Sequence, residues 1–380
     1  MDAAVGHSAE IDTQDAVAEV LAQCNASLAG CPKGAILFAS VEYDHARALD
    51  AITTAWPGVA LIGGSTDGEL SARGGFTHDS LMLIAFGGEG LTVEARVAEH
   101  LSAGPEQAVD AVTHDLRSDR PAACLTVFAP STNSNAVVRE LERRLPAGTP
   151  ILGGLTGDHR ESSRMTEFAG TKVLDDALTI LLIYGDIHVS WGVGSGWFPI
   201  GEPSRVTASD GHIVHELDGR PAIETYRAYW GELPSSLGEY PIAVFPDGPD
   251  GPWCLRAAME ADPDEGWIRF AGDVPEGAWI RLTEVLAEGI LSGTEESLKA
   301  ALHDYQGTSP DLAIAFTCAA RKWVLGTDAE LEVGVLTDVL EKDGATPALA
   351  GCYCFGEIAP LSTRAAGFHN ETCVTVLLGA

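Results

Sequence analysis

The sequence predicts an α/β (α+β) fold: mixed β-sheets packed by helices, built from repeated β-α-β-β units in two parts. Three observations lead there. Apolar runs of strand length, among them AILFAS, CLTVFA and LAIAFTC, recur along the 380 residues. Amphipathic segments with helical spacing follow them, the alternation expected of sheets covered by helices. One element occurs three times, as LIGGSTDGEL at 61–70, ILGGLTGDH at 151–159 and LAGCYCFGEI at 349–358. In each, an apolar strand runs into glycine, small or polar residues, a further glycine and an acid. The spacing is uneven, so the repeat reads as internal duplication and not as a solenoid period.

The elements follow in order. Residues 11–28 carry apolar residues at helical spacing, with Asp12 or Thr13 placed to cap the start. CPKG at 31–34 breaks the chain before the strand AILFAS at 35–40. The segment YDHARALDAITTAWPG reads as a helix ended by Pro57 and Gly58. After the first glycine element come the strands SLMLIAF at 80–86 and LTVEARVAEHL at 91–101. The second round repeats the order: CLTVFAP at 124–130, the helix NAVVRELERRLP at 135–146, the glycine element, and the strand ALTILLIYG at 177–185. The third has LAIAFTC at 312–318, the helix ELEVGVLTDVLEKDG at 330–344, its glycine element, and CVTVLLG at 373–379. Between the second and third rounds the composition changes. Residues 191–207 are rich in glycine and aromatics, and 212–231 read as a short strand, a turn at Asp218–Gly219 and a helix from Pro221. Short strands then run through PIAVFP, WCLRAAM, GWIRFAGDV and AWIRLTEV.

Apolar residues make up 46% of the chain, enough for a sizeable core. The length suggests two domains or one large one, and the change in composition places a boundary near Arg220–Pro221, dividing the chain into a helical extension over 1–32, a first part over 33–220 and a second over 221–380. Asp and Glu outnumber Lys and Arg by 55 to 23, for a net charge of -32. That field argues against nucleic acid and anionic membrane surfaces as partners. The eight cysteines are too sparse for a disulfide framework, and several lie in apolar runs, so reduced and buried thiols are expected. The acidic start, MDAAVGHSAEIDTQDA, does not read as a signal peptide, and the run at 177–184 is too short to span a bilayer. Together these point to a cytoplasmic protein.

Catalytic signatures are mostly missing. The chain has no Walker phosphate loop, no H-E-x-x-H and no G-x-S-x-G. Gly192, Gly194 and Gly196 alternate in a strand-like segment and do not open a helix, a poor dinucleotide fingerprint. Paired glycines at strand ends permit close backbone approach, and exposed amides in such turns form anion-binding nests; the same pattern also suits plain tight turns. Gly64, Ser65, Thr66 and Glu69 are the candidate contacts of the first copy. The densest chemistry is GCYCFGEIAPLSTRAAGFHNET, which holds Cys352, Cys354, Glu357, His369, Asn370 and, directly after it, Cys373. A thiolate–imidazole pair there suits a nucleophile or metal ligation, while a strand over 350–355 would put Cys352 and Cys354 on one face as small hydrophobes. Arg321, at the end of an apolar strand, suits bidentate capture of a carboxylate or a salt bridge.

Assembled in order, these segments resemble the FIST family, with an N-terminal domain over 33–220 and a C-terminal domain over 221–380. The residues that carry the resemblance are LFAS, LIGGSTDGEL, SLMLIAF, ILGGLTGD, WGVGSGWFPIGEPSRVT and HELDGRPA, then AIAFTCAARKWVLG, CYCFGEIAP and GFHNETCVTVLL. The resemblance implies a bacterial or archaeal sensory protein that binds small molecules, amino acids being a proposed class, and works with kinases or cyclic-dinucleotide enzymes. The expectation is therefore a stand-alone cytoplasmic sensor, not an enzyme, that holds a small polar ligand in a cleft. Gly64, Ser65, Thr66 and Glu69 would contact the ligand from the first part, and Arg321, Cys354, Glu357, His369 and Asn370 from the second. Two alternatives stand beside it. One branch of the family binds haem and senses nitric oxide; here the haem would be non-covalent, with His369, Cys354 or His188 as axial ligand. The other is a hydrolase or transferase using Cys354 and His369.

Overall fold

Short apolar strands that are buried on both faces need a cover on each, and the chain meets that need by repeating one unit three times. The computed structural model describes residues 1–130, 133–158, 165–234, 236–360 and 367–380. The first unit is β1 (Asp2–Ser8), α1 (Thr13–Ser27), β2 (Gly34–Ala39), α2 (His45–Ala55), β3 (Ala60–Ser65), a hairpin of β4 (Glu69–Ser71) and β5 (Gly75–Thr77), and β6 (Leu81–Gly87). The second repeats it as β7 (Thr92–Glu99), α3 (Pro105–Thr113), β8 (Ala123–Phe128), α4 (Ser134–Arg144), β9 (Ile151–Leu155), β10 (Glu167–Ala169), β11 (Lys172–Leu174) and β12 (Ala177–Tyr184).

The third unit opens with β13 (His188–Gly194) and is interrupted. Residues 198–284 form a separate antiparallel sheet from β14 (Phe198–Asp210), β15 (Ile213–Leu217), β16 (Arg220–Pro221), β17 (Ile242–Phe245), β18 (Cys254–Arg256), β19 (Ala258–Ala261), β20 (Ile268–Phe270) and β21 (Trp279–Glu284), with α5 (Ala222–Trp230) against it. The unit then resumes with α6 (Ala287–Asp304), β22 (Leu312–Cys318), α7 (Ala319–Leu325), α8 (Glu330–Asp343), β23 (Ala348–Cys354), β24 (Glu357–Ile358), β25 (Phe368–His369) and β26 (Cys373–Gly379).

Each unit contributes a parallel pair, β2–β3, β8–β9 or β22–β23, flanked by an antiparallel last strand. Strand alternation sends one side chain inward and the next outward. Ile36 and Phe38 of β2 join Leu125 and Val127 of β8 and Ile314 and Phe316 of β22 in one central core shared by the three sheets. Phe38 and Phe316 meet edge to face there, ring centroids 6.0 Å apart. The outward residues Ala35, Leu37 and Ala39 pack under α1 and α2. The second sheet does the same under α3 and α4, and the third under α6 and α8. Double burial explains why these strands read as unbroken apolar runs.

The hairpins tie the units together. β4–β5 of the first unit adds to β23 of the third, β10–β11 of the second adds to β3 of the first, and β24–β25 of the third adds to β9 of the second. The three sheets therefore close in a ring of exchanged hairpins.

The repeat is longer than the β-α-β-β unit read from the sequence, since a leading strand and helix precede it each time. Those leading strands, β1, β7 and β13, are edge strands with mixed or glycine-rich composition, so the apolar signal is weak. The helix expected over 11–28 is α1, capped by Asp12, whose carboxylate accepts from the Gln14 and Asp15 amides at 2.8 and 3.2 Å. The strand that precedes it is absent from the sequence reading.

Candidate functional site

The glycine elements come together where the hairpins cross between sheets. The first glycine of each lies in register with a residue of the parallel neighbour: Gly63 with Leu37, Gly153 with Thr126, Gly351 with Ala315. A β-carbon there would stand 1.9, 1.9 and 2.5 Å from the neighbour's carbonyl oxygen. The following position faces the incoming hairpin, and each time the opposite residue is a buried glutamate. Glu167 pairs with Gly64, Glu357 with Gly154, and Glu69 with Cys352. The acid of the second copy is thus Glu167, beyond the quoted stretch, whose last residue, His159, lies outside the described residues.

Each glutamate is satisfied locally. Glu69 accepts from Thr66 Oγ1 and from Ser80 Oγ at 2.5 Å. Ser80 continues to His7 Nε2 at 2.9 Å, and His7 Nδ1 meets Ser71 Oγ at 2.7 Å, a buried polar chain under β1. Burial pushes the His7 imidazole down to about 4. Glu167 accepts from Thr156 Oγ1 at 3.1 Å and the Ala177 amide at 3.0 Å. Glu357 accepts from the Thr372 amide and hydroxyl at 3.1 and 2.7 Å. Burial raises the carboxyls of Glu167 and Glu357 to about 7 and about 8.

The bend amides, expected to face a ligand, bond the neighbouring units instead. Ser65 N donates to Thr166 O, Asp67 N to Tyr353 O, Gly157 N to Ser65 O and Leu155 N to Gly356 O, at 2.8–2.9 Å. Ser65 Oγ accepts from the Thr166 amide at 3.0 Å. Gly64, Ser65, Thr66 and Glu69 are brought together with the second unit's hairpin, and none borders the cavities beside the inserted sheet.

Arg321 is fully buried. Its Nη2 donates to Glu332 Oε1, Ile290 O and Thr294 Oγ1 at 2.7–2.8 Å, its Nε to Thr317 Oγ1 at 3.1 Å, and its Nη1 to Ser195 O. Tyr353 donates to the other Glu332 oxygen at 2.5 Å. The guanidinium binds α6, α8, β22 and the end of β13 into one piece. Its neighbour Lys322 pairs with Asp67 at 2.8 Å, and Trp323 Nε1 donates to the same carboxylate at 3.0 Å, joining α7 to the first bend.

Cys354 lies in the central core, its thiol donating to Gly356 O at 3.4 Å and pushed well above the usual range by burial. His369 Nε2 is within 3.1 Å of Ala359 O, and burial lowers the ring to about 4. Among the described residues no hydrogen bond joins the two, and a thiol raised by burial lacks the thiolate character that nucleophilic attack requires. His188 sits on the edge strand β13, three strands from β23, against Tyr305. Of the three alternative haem ligands, His369 borders a cavity beside the inserted sheet, Cys354 sits in the central core and His188 lies on a far edge strand. No group of three or more His, Cys, Asp or Glu able to hold a metal ion occurs among the described residues.

The seam between the inserted sheet and the three-sheet body is open on both sides of Asn370. Arg256 clamps the insert to the body, donating to Asp273 O at 3.2 Å and Phe368 O at 3.3 Å, and Asn370 Oδ1 accepts from the Ala257 amide at 3.4 Å. One cavity, about 420 Å³, is bordered by Trp191, Trp253, Cys254, His369 and Asn370. The other, about 270 Å³, is bordered from the insert by Leu237, Gly238 and Ala257–Met259, and from the body by Cys318–Ala320, Trp323, Phe355, Asn370 and Glu371. Trp323 and Phe355 form an aromatic wall, centroids 6.0 Å apart at 70°. Phe355 belongs to the third bend, so one glycine element does reach the cavity.

Glu371 is the residue that sequence reasoning missed. It is 0% exposed, and neither carboxylate oxygen has a hydrogen-bond partner among the described residues. Its φ of 60° places a non-glycine residue in the left-handed region. Its position beside Asn370 in FHNET was the available signal, but an acid next to a strand reads as surface until the burial is known.

Comparison with known proteins places two domains on this chain. The FIST N domain matches residues 34–220, and the FIST C domain matches residues 222–360. Uncharacterized protein Rv0628c of Mycobacterium tuberculosis is 28% identical over 401 aligned positions, which cover 98% of this chain and 98% of that protein. Uncharacterized protein Mb0898c of Mycobacterium bovis is 26% identical, covering 98% and 97%. Uncharacterized protein MJ1623 of Methanocaldococcus jannaschii is 25% identical over 179 positions, 44% of this chain and 34% of its own length.

Proposed function

The chain belongs to the FIST family, whose domains are associated with sensing in signal transduction, and on that premise we propose that it is a small-molecule sensor with its ligand held in the 270 Å³ cavity at the insert–body seam. One observation carries the reading: the inserted sheet and the three-sheet body both line the cavity, and its apolar, aromatic walls end at a few polar groups, Asn370 and Glu371 foremost. A ligand there touches the insert and the body together. It stabilises whichever relative placement fits it, and that differential affinity is what a sensor transmits.

In this reading the protein is cytoplasmic and stands alone, and its output passes to a separate partner such as a kinase or a cyclic-dinucleotide enzyme. The ligand is small and polar at one end, and amino acids are one class to test. Asn370 and His369 contact it or border its approach, while Arg321, Cys354 and Glu357 support the wall from behind. Gly64, Ser65, Thr66 and Glu69 serve the junction between units.

A thermal-shift screen tests this. The native chain and Gly238→Leu are compared against amino acids, amines, small acids and alcohols. A β-carbon at Gly238 meets only Trp323 and Ala258 O, at 3.8 and 3.9 Å, so the leucine side chain grows into the cavity without disturbing the backbone. At least one class should raise the melting temperature of the native chain and not of the variant. Shifts that persist in Gly238→Leu, or no shift with any class, would sink the assignment.

A further inference from the structure

We propose that this cavity selects an organic ammonium ion without a carboxylate, Glu371 taking the charged nitrogen and the Trp323–Phe355 wall the apolar body. The inference rests on the cavity being the ligand site. Glu371 is one of the residues that border it, and its carboxylate is fully buried with both oxygens unpartnered among the described residues. A buried acid left without a donor is destabilising, so a fold that retains one has a use for it. Arg321, the cation that opposes it, does not serve as a donor: its guanidinium is engaged by Glu332 and by backbone carbonyls. Burial, with Glu357 and Glu239 facing Glu371 as further acids, Cys318 as a thiol and Arg321 as the opposing cation, pushes its carboxyl well above the usual range.

A ligand nitrogen bearing a positive charge answers that deficit with a charge-assisted hydrogen bond. The aromatic wall adds the cation–π and apolar contact that organic ammonium ions favour. The cavity volume of about 270 Å³ suits a small amine. No lysine or arginine lines the cavity among the described residues, so an amino acid's carboxylate would be desolvated unpaired. The net charge of -32 draws cations toward the protein and opposes anions.

Calorimetric titration with matched probes tests the assignment: benzylamine and 3-methylbutylamine, the alcohols of the same skeletons, and phenylalanine and leucine. The amines should bind at least about tenfold more tightly than the alcohols and the amino acids, the size of one charge-assisted hydrogen bond. Glu371→Gln should remove that preference while alcohol affinity stays within about threefold. Gly238→Leu, an independent variant, should abolish binding of every probe. Amines that bind no better than the alcohols, amines that fail to bind, or a preference that survives Glu371→Gln would each overturn the ammonium assignment. If alcohols or amino acids alone bind and Gly238→Leu blocks them, the cavity stands as the ligand site and only the ammonium inference falls; if no probe binds, both fall.

Discussion

At the scale of single residues, the buried charges divide into those the fold needs and one it tolerates. Arg321 and Glu332 form a fully buried pair whose remaining polar atoms are met by Thr294, Tyr353 and backbone carbonyls. Truncating one partner leaves the other charge uncompensated, so Arg321→Ala should destabilise by about 3–5 kcal/mol in urea unfolding. Glu371 has the opposite character. Glycine adopts its φ without the β-carbon penalty and removes the unpaired acid, so Glu371→Gly should raise the melting temperature while amine binding disappears. A lower melting temperature would show that the carboxylate is held by favourable contacts. Glu357 and Glu167 set a pH dependence. Their carboxyls rise from 4.5 to about 8 and about 7, so the folded chain keeps protons that the unfolded chain has already released. Their contribution is fully present below about pH 4.5 and is lost as the pH climbs through the folded values. Stability should fall between about pH 5 and about pH 8, and Glu357→Gln should flatten the upper part of that fall.

At the scale of elements, the glycines act through close approach. Gly63 and Gly153 sit where a β-carbon would collide with the carbonyl of the parallel neighbour at 1.9 Å. Gly192 and Gly194 of β13 let α6 lie on the strand backbone, where β-carbons would stand 1.9 Å from Ser297 O and Gly293 O. Gly63→Ala should therefore cost about 3 kcal/mol or more in denaturant unfolding, against less than about 0.5 kcal/mol for Gly238→Ala, whose β-carbon finds ordinary contacts. Equal losses at the two positions would refute close packing as the reason for the motif.

At the scale of the whole molecule, the exchange of hairpins makes the three sheets one cooperative body. A fragment of residues 1–187 leaves β4–β5 without β23 and β9 without β24. It should fail to reach a cooperative fold, seen as loss of near-ultraviolet circular dichroism and dye binding to exposed apolar surface. The insert behaves differently, because its ends meet: a β-carbon on Gly196 would stand 2.2 Å from Gly289 O. Replacing residues 198–284 by a short Gly/Ser linker should leave the three-sheet body folded and unable to bind at the seam.

The sequence by itself determined the doubly buried strands, most of the helices and the threefold recurrence, because doubly buried strands must be apolar throughout and a glycine forced by backbone contact is visible as a letter. AILFA, ACLTVF and LAIAFTC announce β2, β8 and β22, and the acids Glu69 and Glu357 stand out at the end of their motifs. What only the tertiary structure decided is where those groups point and what they meet. The second buried acid proved to be Glu167, Arg321 turned inward to Glu332, and Glu371, one letter past the residues that drew notice, came to the wall of a cavity. Those outcomes depend on hairpins crossing to a neighbouring sheet and on an insert folding back over the body. The contacts so made join residues as far apart as Asp67 and Lys322, and local spacing carries no record of a partner that distant.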